Sequence, residues 1–287
     1  MKIVTDSAAD LTSEDLASFP IAVAPLYIQF PEGEIRSEDL THDEFYNRLE
    51  AMRPQLPTTG QPSPGNFADL YRTIQRGSEE VLSIHISSGL SGTANAARNG
   101  SSQEKEEGIH VVDSLTLSGG LRFQVLAAAQ AIQAGWELPN ILAQLERIRT
   151  ATEVVYTLDT LDYLARGGRI GRVQALASSV LNIKPIISVS KSDGKYNTVG
   201  KSRTISRALN DLTEHLVSLY GMEGPLWVSV MHGRFEEKAR LLAESIQGAL
   251  PVGKLEVLRI SPVLGVHTGP GIVGAAVVPM RLIEEIQ

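Results

Sequence analysis

The stretch Ser83-Ile84-His85-Ile86-Ser87-Ser88-Gly89-Leu90-Ser91-Gly92-Thr93-Ala94-Asn95-Ala96-Ala97 decides how the rest of the chain is read. Val81 to Ile86 has the make-up of a buried strand, and Ala94 onward that of the first turns of a helix. The Ser/Gly/Thr run between them is then a strand-to-helix turn. There, free backbone N–H groups and the positive end of the helix dipole favour an anion. Gly89 and Gly92 let the backbone come close, while Ser87, Ser88, Ser91 and Thr93 supply neutral hydroxyl donors. A Ser91 that merely caps the helix is the simpler alternative. Four hydroxyls around two glycines exceed what a cap requires, and point to a site for a small anion or a carboxylate.

Outward from this turn, strands and helices alternate through the first half. Lys2 to Thr5 reads as a short strand, and Thr12-Ser13-Glu14-Asp15 has the capping-box spacing that starts a helix. Ile21 to Phe30 reads as one strand, closed by the turn Pro31-Glu32-Gly33-Glu34. Thr41 opens a helix on which Phe45, Leu49 and Met52 share a face. Pro57 to Gly65, with prolines at 57, 62 and 64, reads as a stiff loop leading into a helix with Ser63 as N-cap and Pro64 as first residue. A loop held in this way makes Thr59 and Gln61 candidates to present side chains to a site, although a plain surface loop fits nearly as well. Ile109 to Asp113 is a further strand, Leu117 to Ala134 a long helix ended by Gly135, and Leu138 to Arg149 an amphipathic helix. This alternation implies an α/β domain over residues 1–150, with a mostly parallel sheet and helices on both faces. Ligands of such sheets sit beyond the carboxyl ends of the strands, at the turns after Thr5 and Ile86.

The texture changes near residue 150, which marks a second domain over residues 151–287. Glu153 to Leu158 reads as a strand, Leu161 to Ala165 as a short helix and Arg166-Gly167-Gly168-Arg169-Ile170-Gly171-Arg172 as a glycine-rich basic turn. An apolar helix is expected at Val173 to Leu181. Lys184 to Ser190 and Tyr196 to Gly200 are strands joined by an Asp193-Gly194 hairpin signal. Helices at Thr204 to Tyr220 and Phe235 to Gln247 flank a strand at Leu226 to Met231, and Leu255 to Ile260 and Val273 to Val278 complete the set. A hairpin among helices predicts an α+β domain with a mixed or antiparallel sheet.

Composition narrows the function. The chain has 287 residues, 43% of them hydrophobic, and a net charge of -7, which disfavours an electrostatic hold on nucleic acid or anionic membrane. It has no cysteine, so disulfides, thiolate metal sites and Cys nucleophiles are excluded. The start Met1-Lys2-Ile3-Val4-Thr5-Asp6 runs straight into a strand, without a signal peptide's apolar segment, and no stretch is long enough to span a bilayer, so a cytoplasmic protein is expected. Gly269-Pro270-Gly271-Ile272-Val273-Gly274 matches a dinucleotide fingerprint by letter, but it lacks the long helix and the acid that must follow. Gly89-Leu90-Ser91-Gly92 lacks the spacing of a nucleophile elbow, and no Lys follows these glycines as in a P-loop. No pair of histidines has metal-ligand spacing, so neither metal nor cofactor is expected. Asp6 and Asp10 read as capping, solvated acids rather than metal ligands. His85, inside a buried strand, reads as a satisfied core histidine.

Five segments, in order and spread over nearly the whole chain, together resemble the DegV family of bacterial fatty-acid-binding proteins. They are Ile3-Val4-Thr5-Asp6-Ser7, Thr59-Gly60-Gln61-Pro62, Ser87-Ser88-Gly89-Leu90-Ser91-Gly92-Thr93, Gly167-Gly168-Arg169-Ile170, and Pro262-Val263-Leu264-Gly265-Val266-His267-Thr268-Gly269-Pro270-Gly271. The resemblance implies a Rossmann-like N-terminal domain and an α/β C-terminal domain with one long-chain fatty acid between them. It implies a binding protein of fatty acid metabolism and lipid transport, not an enzyme. It also implies a partner: a fatty acid kinase with a dihydroxyacetone-kinase-like domain, which phosphorylates the presented carboxylate to an acyl phosphate. Carried over by position, the carboxylate-binding residues fall on Thr59, Ser91, Arg169 and His267, and the kinase-docking arginines on Arg172 and Arg203. Gly60 departs from the family loop, which often has Ser there, and so removes one hydroxyl. Two rival functions remain open on the residues alone: a Ser91/His267 hydrolase or acyltransferase, and a sugar-phosphate or triose binder.

Overall fold

The computed structural model describes residues 1–75, 80–102, 108–173 and 183–286. The first half runs β1 (Lys2–Asp6), α1 (Ser13–Ser18), β2 (Ile21–Ala24), β3 (Tyr27–Phe30), β4 (Gly33–Arg36), α2 (His42–Ala51), β5 (Thr58–Gly60), α3 (Pro64–Ile74), β6 (Val81–His85), α4 (Thr93–Ser101), β7 (Ile109–Asp113), α5 (Ser118–Gln133) and α6 (Leu138–Ala151). Local signals set several of these boundaries. Thr12 accepts from the Asp15 N–H while the Asp15 carboxylate accepts from the Thr12 N–H, which closes the expected capping box. Ser63 caps α3 in the same manner, with Pro64 at its first position.

Strands β2, β1, β6 and β7 lie in that order, all parallel. Alternate residues face opposite ways: Val4 and Val81 pack toward α3 and α4, while Ile3, Leu82 and Ile84 join a core that contains α5. The expected strand from Ile21 to Phe30 is two strands in two sheets. Pro25 has no N–H to continue the ladder, and Leu26 N–H instead donates to Ser7 Oγ at 2.8 Å. Beyond this break β3 pairs antiparallel with β4 and with β5 in a small separate sheet, so the expected loop at Thr58–Gly60 is a strand.

The second half runs β8 (Glu153–Leu158), α7 (Asp162–Arg166), β9 (Lys184–Val189), β10 (Tyr196–Ser202), α8 (Ile205–Tyr220), β11 (Leu226–His232), α9 (Glu236–Ala249), β12 (Val252–Arg259), α10 (Pro262–Thr268), β13 (Ile272–Pro279) and α11 (Arg281–Glu284). The helix expected at Val173 to Leu181 falls almost wholly outside the described residues. The strands form one mixed sheet in the order β10-β9-β8-β13-β11-β12, in which only β11 and β12 are parallel. Helices α8 and α9 cover one face. The other faces α5, which lies between the two large sheets and is buried on nearly every side. At Gly119, in its first turn, an added Cβ would lie 2.6 Å from the Ala276 side chain, so only glycine permits this approach.

Two buried acids after β1 join distant elements. Asp6 accepts from Ala8 N–H (3.0 Å) and Ile86 N–H (2.9 Å) and lies 3.0 Å from His85 Nδ1, whose Nε2 is 2.7 Å from Ser83 Oγ. His85 is thus a satisfied core histidine as expected. Asp10 accepts from Ser118 Oγ (2.5 Å) and from the Ser261 N–H (2.7 Å). Neither acid is the solvated one expected, since the fold closes over both; their exposures are 1% and 9%. Burial pushes the Asp10 carboxyl up to about 6 from 3.8, against the pull of its donors. A raised carboxyl favours the folded state fully below pH 3.8, and that contribution is lost as pH rises through 6. We therefore expect Asp10→Asn, which keeps the geometry without titrating, to gain about 2 kcal/mol on the wild type between pH 4 and pH 7 in urea unfolding. A constant difference between the two proteins would refute the assignment.

Candidate ligand-binding site

At the carboxyl end of β6 the chain turns through Ser87 to Gly92 into α4. Its hydroxyls divide their tasks. Ser87 is fully buried and donates to the Gly194 carbonyl at 2.9 Å, and Thr93 is buried against Ser91, with the two hydroxyl oxygens 2.8 Å apart. Ser88 is exposed. Ser91 alone of the four lines a cavity, which corrects the expectation of four donors facing one site. Ser91 stands one residue before the cap position, Gly92, yet its Oγ also accepts from the Thr93 N–H at the head of α4, at 3.3 Å, so it satisfies a free N–H of the helix as well as facing the cavity. Gly89 is needed for another reason than anion approach: a Cβ there would lie 2.5 Å from the Asp193 carbonyl oxygen, where the β9–β10 turn rests on it.

The cavity beside Ser91 brings together all four residues singled out for a carboxylate. Thr59, Ser91, Arg169 and His267 line it, with Gly60, Gln61, Leu26, Ile86, Leu90, Tyr196, Val263 and Leu264. Each comes from a different element. Thr59 sits on β5, held by its pairing with Ile28. His267 lies in the last turn of α10, which Pro262 begins. Arg169 follows α7, and its guanidinium donates to the Gly167 carbonyl at 2.7 Å. Gly60 leaves ordinary van der Waals room, with the nearest atom to an added Cβ at 4.0 Å.

Thr59 Oγ1 and His267 Nε2 are 2.8 Å apart, while Nδ1 has no hydrogen-bond partner among the described residues. Burial, helped by the nearby Arg169 charge, lowers the His267 pKa to about 4, so the imidazole is neutral at pH 7. The pocket therefore offers neutral donors and one fixed cation, a set suited to a single carboxylate. No carboxylate orients His267, and no hydrogen bond joins it to Ser91, among the described residues. No group of three potential metal ligands occurs among them, and none of their helices is long and apolar enough to cross a membrane.

Behind this pocket lies a second cavity, almost wholly apolar, lined by residues that include Leu117, Gly119, Val154, Tyr156, Met231, Ile260 and Ala276. Tyr196 and Leu264 belong to the walls of both. The two volumes are only ≈ 40 and ≈ 30 Å³. Arg172 lies outside, ion-paired with Asp193, and Arg203 is exposed. The apolar lining was not legible in the sequence, because these residues follow no shared period and converge from six elements.

The profile described as "Uncharacterised protein, DegV family" matches residues 1–280. The chain belongs to the DegV family. A DegV domain-containing protein of Deinococcus radiodurans is 37% identical over 280 residues, covering 97% of this chain and 98% of the relative. Among solved structures, a DegV family protein from Thermus thermophilus, described by its fatty acid binding, is 30% identical with a TM-score of 0.90, over 97% of this chain and 99% of that one. DegV from Bacillus subtilis, described as a fatty acid binding protein, is also 30% identical, with a TM-score of 0.86, over 96% and 98% of the two chains. The architecture, with α5 between two large sheets and a third small one, is thus that of the DegV family.

Because the lowered His267 pKa belongs to the folded state, its stabilising contribution is present above pH 6.5 and lost as pH falls through 4. His267→Gln should therefore lose its disadvantage on acidification, closing on the wild type by about 2 kcal/mol between pH 7 and 4 once partial solvent screening is allowed for. The sign is opposite to that for Asp10, so both are read from variant-minus-wild-type differences. A gap that widens toward pH 4 would show that His267 is charged in the fold.

Proposed function

We propose that this protein binds one long-chain fatty acid, such as palmitate or oleate, between its units 1–150 and 151–287, with the carboxylate held by Ser91, Thr59, Arg169 and His267. The observation that carries this reading is the shared wall: a polar pocket with one cation backs directly onto an apolar cavity through Tyr196 and Leu264. A sugar phosphate would suit a short polar pocket with more than one cation inside, which this is not. A chain of about sixteen carbons gains on the order of 10 kcal/mol on burial, at about 0.8 kcal/mol per methylene, less the cost of ordering it. Its carboxylate can follow only where donors replace water. The fatty acid binding described for the Thermus thermophilus and Bacillus subtilis relatives supports the same ligand class. A hydrolase using Ser91 is disfavoured, because its base would need contact with Ser91 and an orienting acid. We infer a cytoplasmic binding protein of fatty acid metabolism, not a catalyst.

Organic extraction of gently purified protein and mass spectrometry should find about one fatty acid per chain. Delipidated protein whose melting temperature ignores palmitate and oleate would overturn the reading. Ser91→Ala should weaken binding of the acid more than of its methyl ester, because a hydroxyl contributes most to a charged acceptor. Equal losses would mean that Ser91 only shapes the pocket.

The finer part of the reading is that the carboxylate is presented to a kinase with a dihydroxyacetone-kinase-like domain, which docks on Arg172 and Arg203 and makes the acyl phosphate. Both arginines lie on connections, where functional side chains concentrate. The exposed pairing of Arg172 with Asp193 is weak enough to be exchanged for a partner's carboxylate. Arg172→Glu with Arg203→Glu should leave the fatty-acid dissociation constant and melting temperature nearly unchanged while acyl phosphate formation by the cognate kinase falls sharply. Collapse of lipid binding, with kinase turnover falling only in proportion, would assign these arginines to the pocket.

A further inference from the structure

Tyr196 is the side chain at which three cavities meet. It lines the polar pocket beside Ser91, the apolar cavity behind it, and an outer cleft of ≈ 410 Å³ whose walls include Gly89, Gly168, Arg169, Arg172 and Lys195. The two inner cavities, ≈ 40 and ≈ 30 Å³, hold no more than a few waters each, whereas ligand sites usually run to about 300 Å³ or more. An acyl chain anchored by its carboxylate can reach the apolar cavity only if the shared wall yields. That wall is Leu264 and Tyr196. Leu264 is buried within α10 and does not line the outer cleft. Tyr196 is 5% exposed yet borders the cleft; its ring packs edge-on against Tyr156, with centroids 5.7 Å apart, and a swing toward the cleft gives up that contact.

The backbone that carries it is well held. Tyr196 begins β10, an edge strand, directly after a turn in which Gly194 N–H donates to the Ser190 carbonyl and Ser190 N–H to the Lys195 carbonyl, both at 2.8 Å. Ser87 fastens that turn to the first half through the Gly194 carbonyl. On such a base, rotation about the side chain moves the ring without disturbing the sheet.

We propose that Tyr196 is the movable partition of the site: its ring swings toward the outer cleft to join the polar pocket to the apolar cavity, and so sets the rate at which a fatty acid enters and leaves. This role presupposes the fatty-acid reading above. Because the chain of a bound fatty acid crosses the place where the ring stood, the cost of moving the ring falls on entry, and removing the ring speeds association and tightens binding.

Stopped-flow mixing of delipidated protein with the fluorescent fatty acid parinaric acid, followed by displacement with palmitate, measures both rates. Tyr196→Ala should raise the association rate by about tenfold and lower the dissociation constant severalfold, while Tyr196→Trp slows association and weakens binding and Tyr196→Phe resembles the wild type. Should the alanine variant fail to fold, the tryptophan and phenylalanine variants decide the matter. Unchanged rates in the Trp variant overturn the proposal. So does a change confined to dissociation, which marks a fixed wall that only packs against the ligand. Wild-type protein that binds neither fatty acid would bring down the fatty-acid reading itself, a result distinct from normal binding with unaltered exchange.

Discussion

The site depends on two carboxylates that are buried a few residues after the first strand begins. A buried acid must be given donors or remain protonated, and Asp6 and Asp10 find theirs far along the chain. Asp6 takes the Ile86 N–H, which fixes the start of the turn that carries Ser91. Asp10 takes the Ser261 N–H at the head of α10, the helix that carries His267. One short segment thus aligns the two elements that face each other across the polar pocket. The same residue ties in Ser118 at the start of α5, the helix between the two large sheets.

Within the pocket, neutrality matters as much as charge. A protonated His267 beside Arg169 would place two cations in a poorly solvated space, and burial disfavours it. With a neutral imidazole the pocket holds one guanidinium and the hydroxyls of Ser91 and Thr59, a set that under the proposed function would balance and hydrogen-bond one carboxylate without further charge. This arrangement discriminates against dianions, which would leave a charge uncompensated in a region where that is costly. Immediately behind, the lining becomes apolar, so one amphiphilic molecule satisfies both regions where a small polar one satisfies only the first.

The halves share one apolar core, and glycine marks some of their closest approaches. Gly89 lets the β9–β10 turn rest on the anion turn, and Gly119 lets α5 approach β13. Tyr196 emerges beside this contact, at the edge of one sheet, and lines a pocket whose other walls come from both halves of the chain. The swing proposed for its ring would give up the contact with Tyr156 but none of the hydrogen bonds that fasten the turn.

Much was legible in the sequence because it depends on neighbours along the chain. The capping signals at Thr12 and Ser63, the alternation of Ile3, Val4, Leu82 and Ile84, and the glycine stop after α5 act within a turn or two of backbone, so composition and spacing suffice to read them. The parallel first sheet followed from that alternation, and the five family-like segments named the candidate residues. What the sequence could not decide is whatever depends on through-space partners. Pro25 divides an apparently continuous strand between two sheets because Ser7 offers Leu26 a hydrogen bond. Three of the four hydroxyls in the opening turn are spent on the fold or on solvent rather than on the cavity. The apolar cavity and the place of Tyr196 between three cavities exist only once α5, α10 and both large sheets are packed. Burial is a property of the assembled surfaces, and no local run of residues carries it.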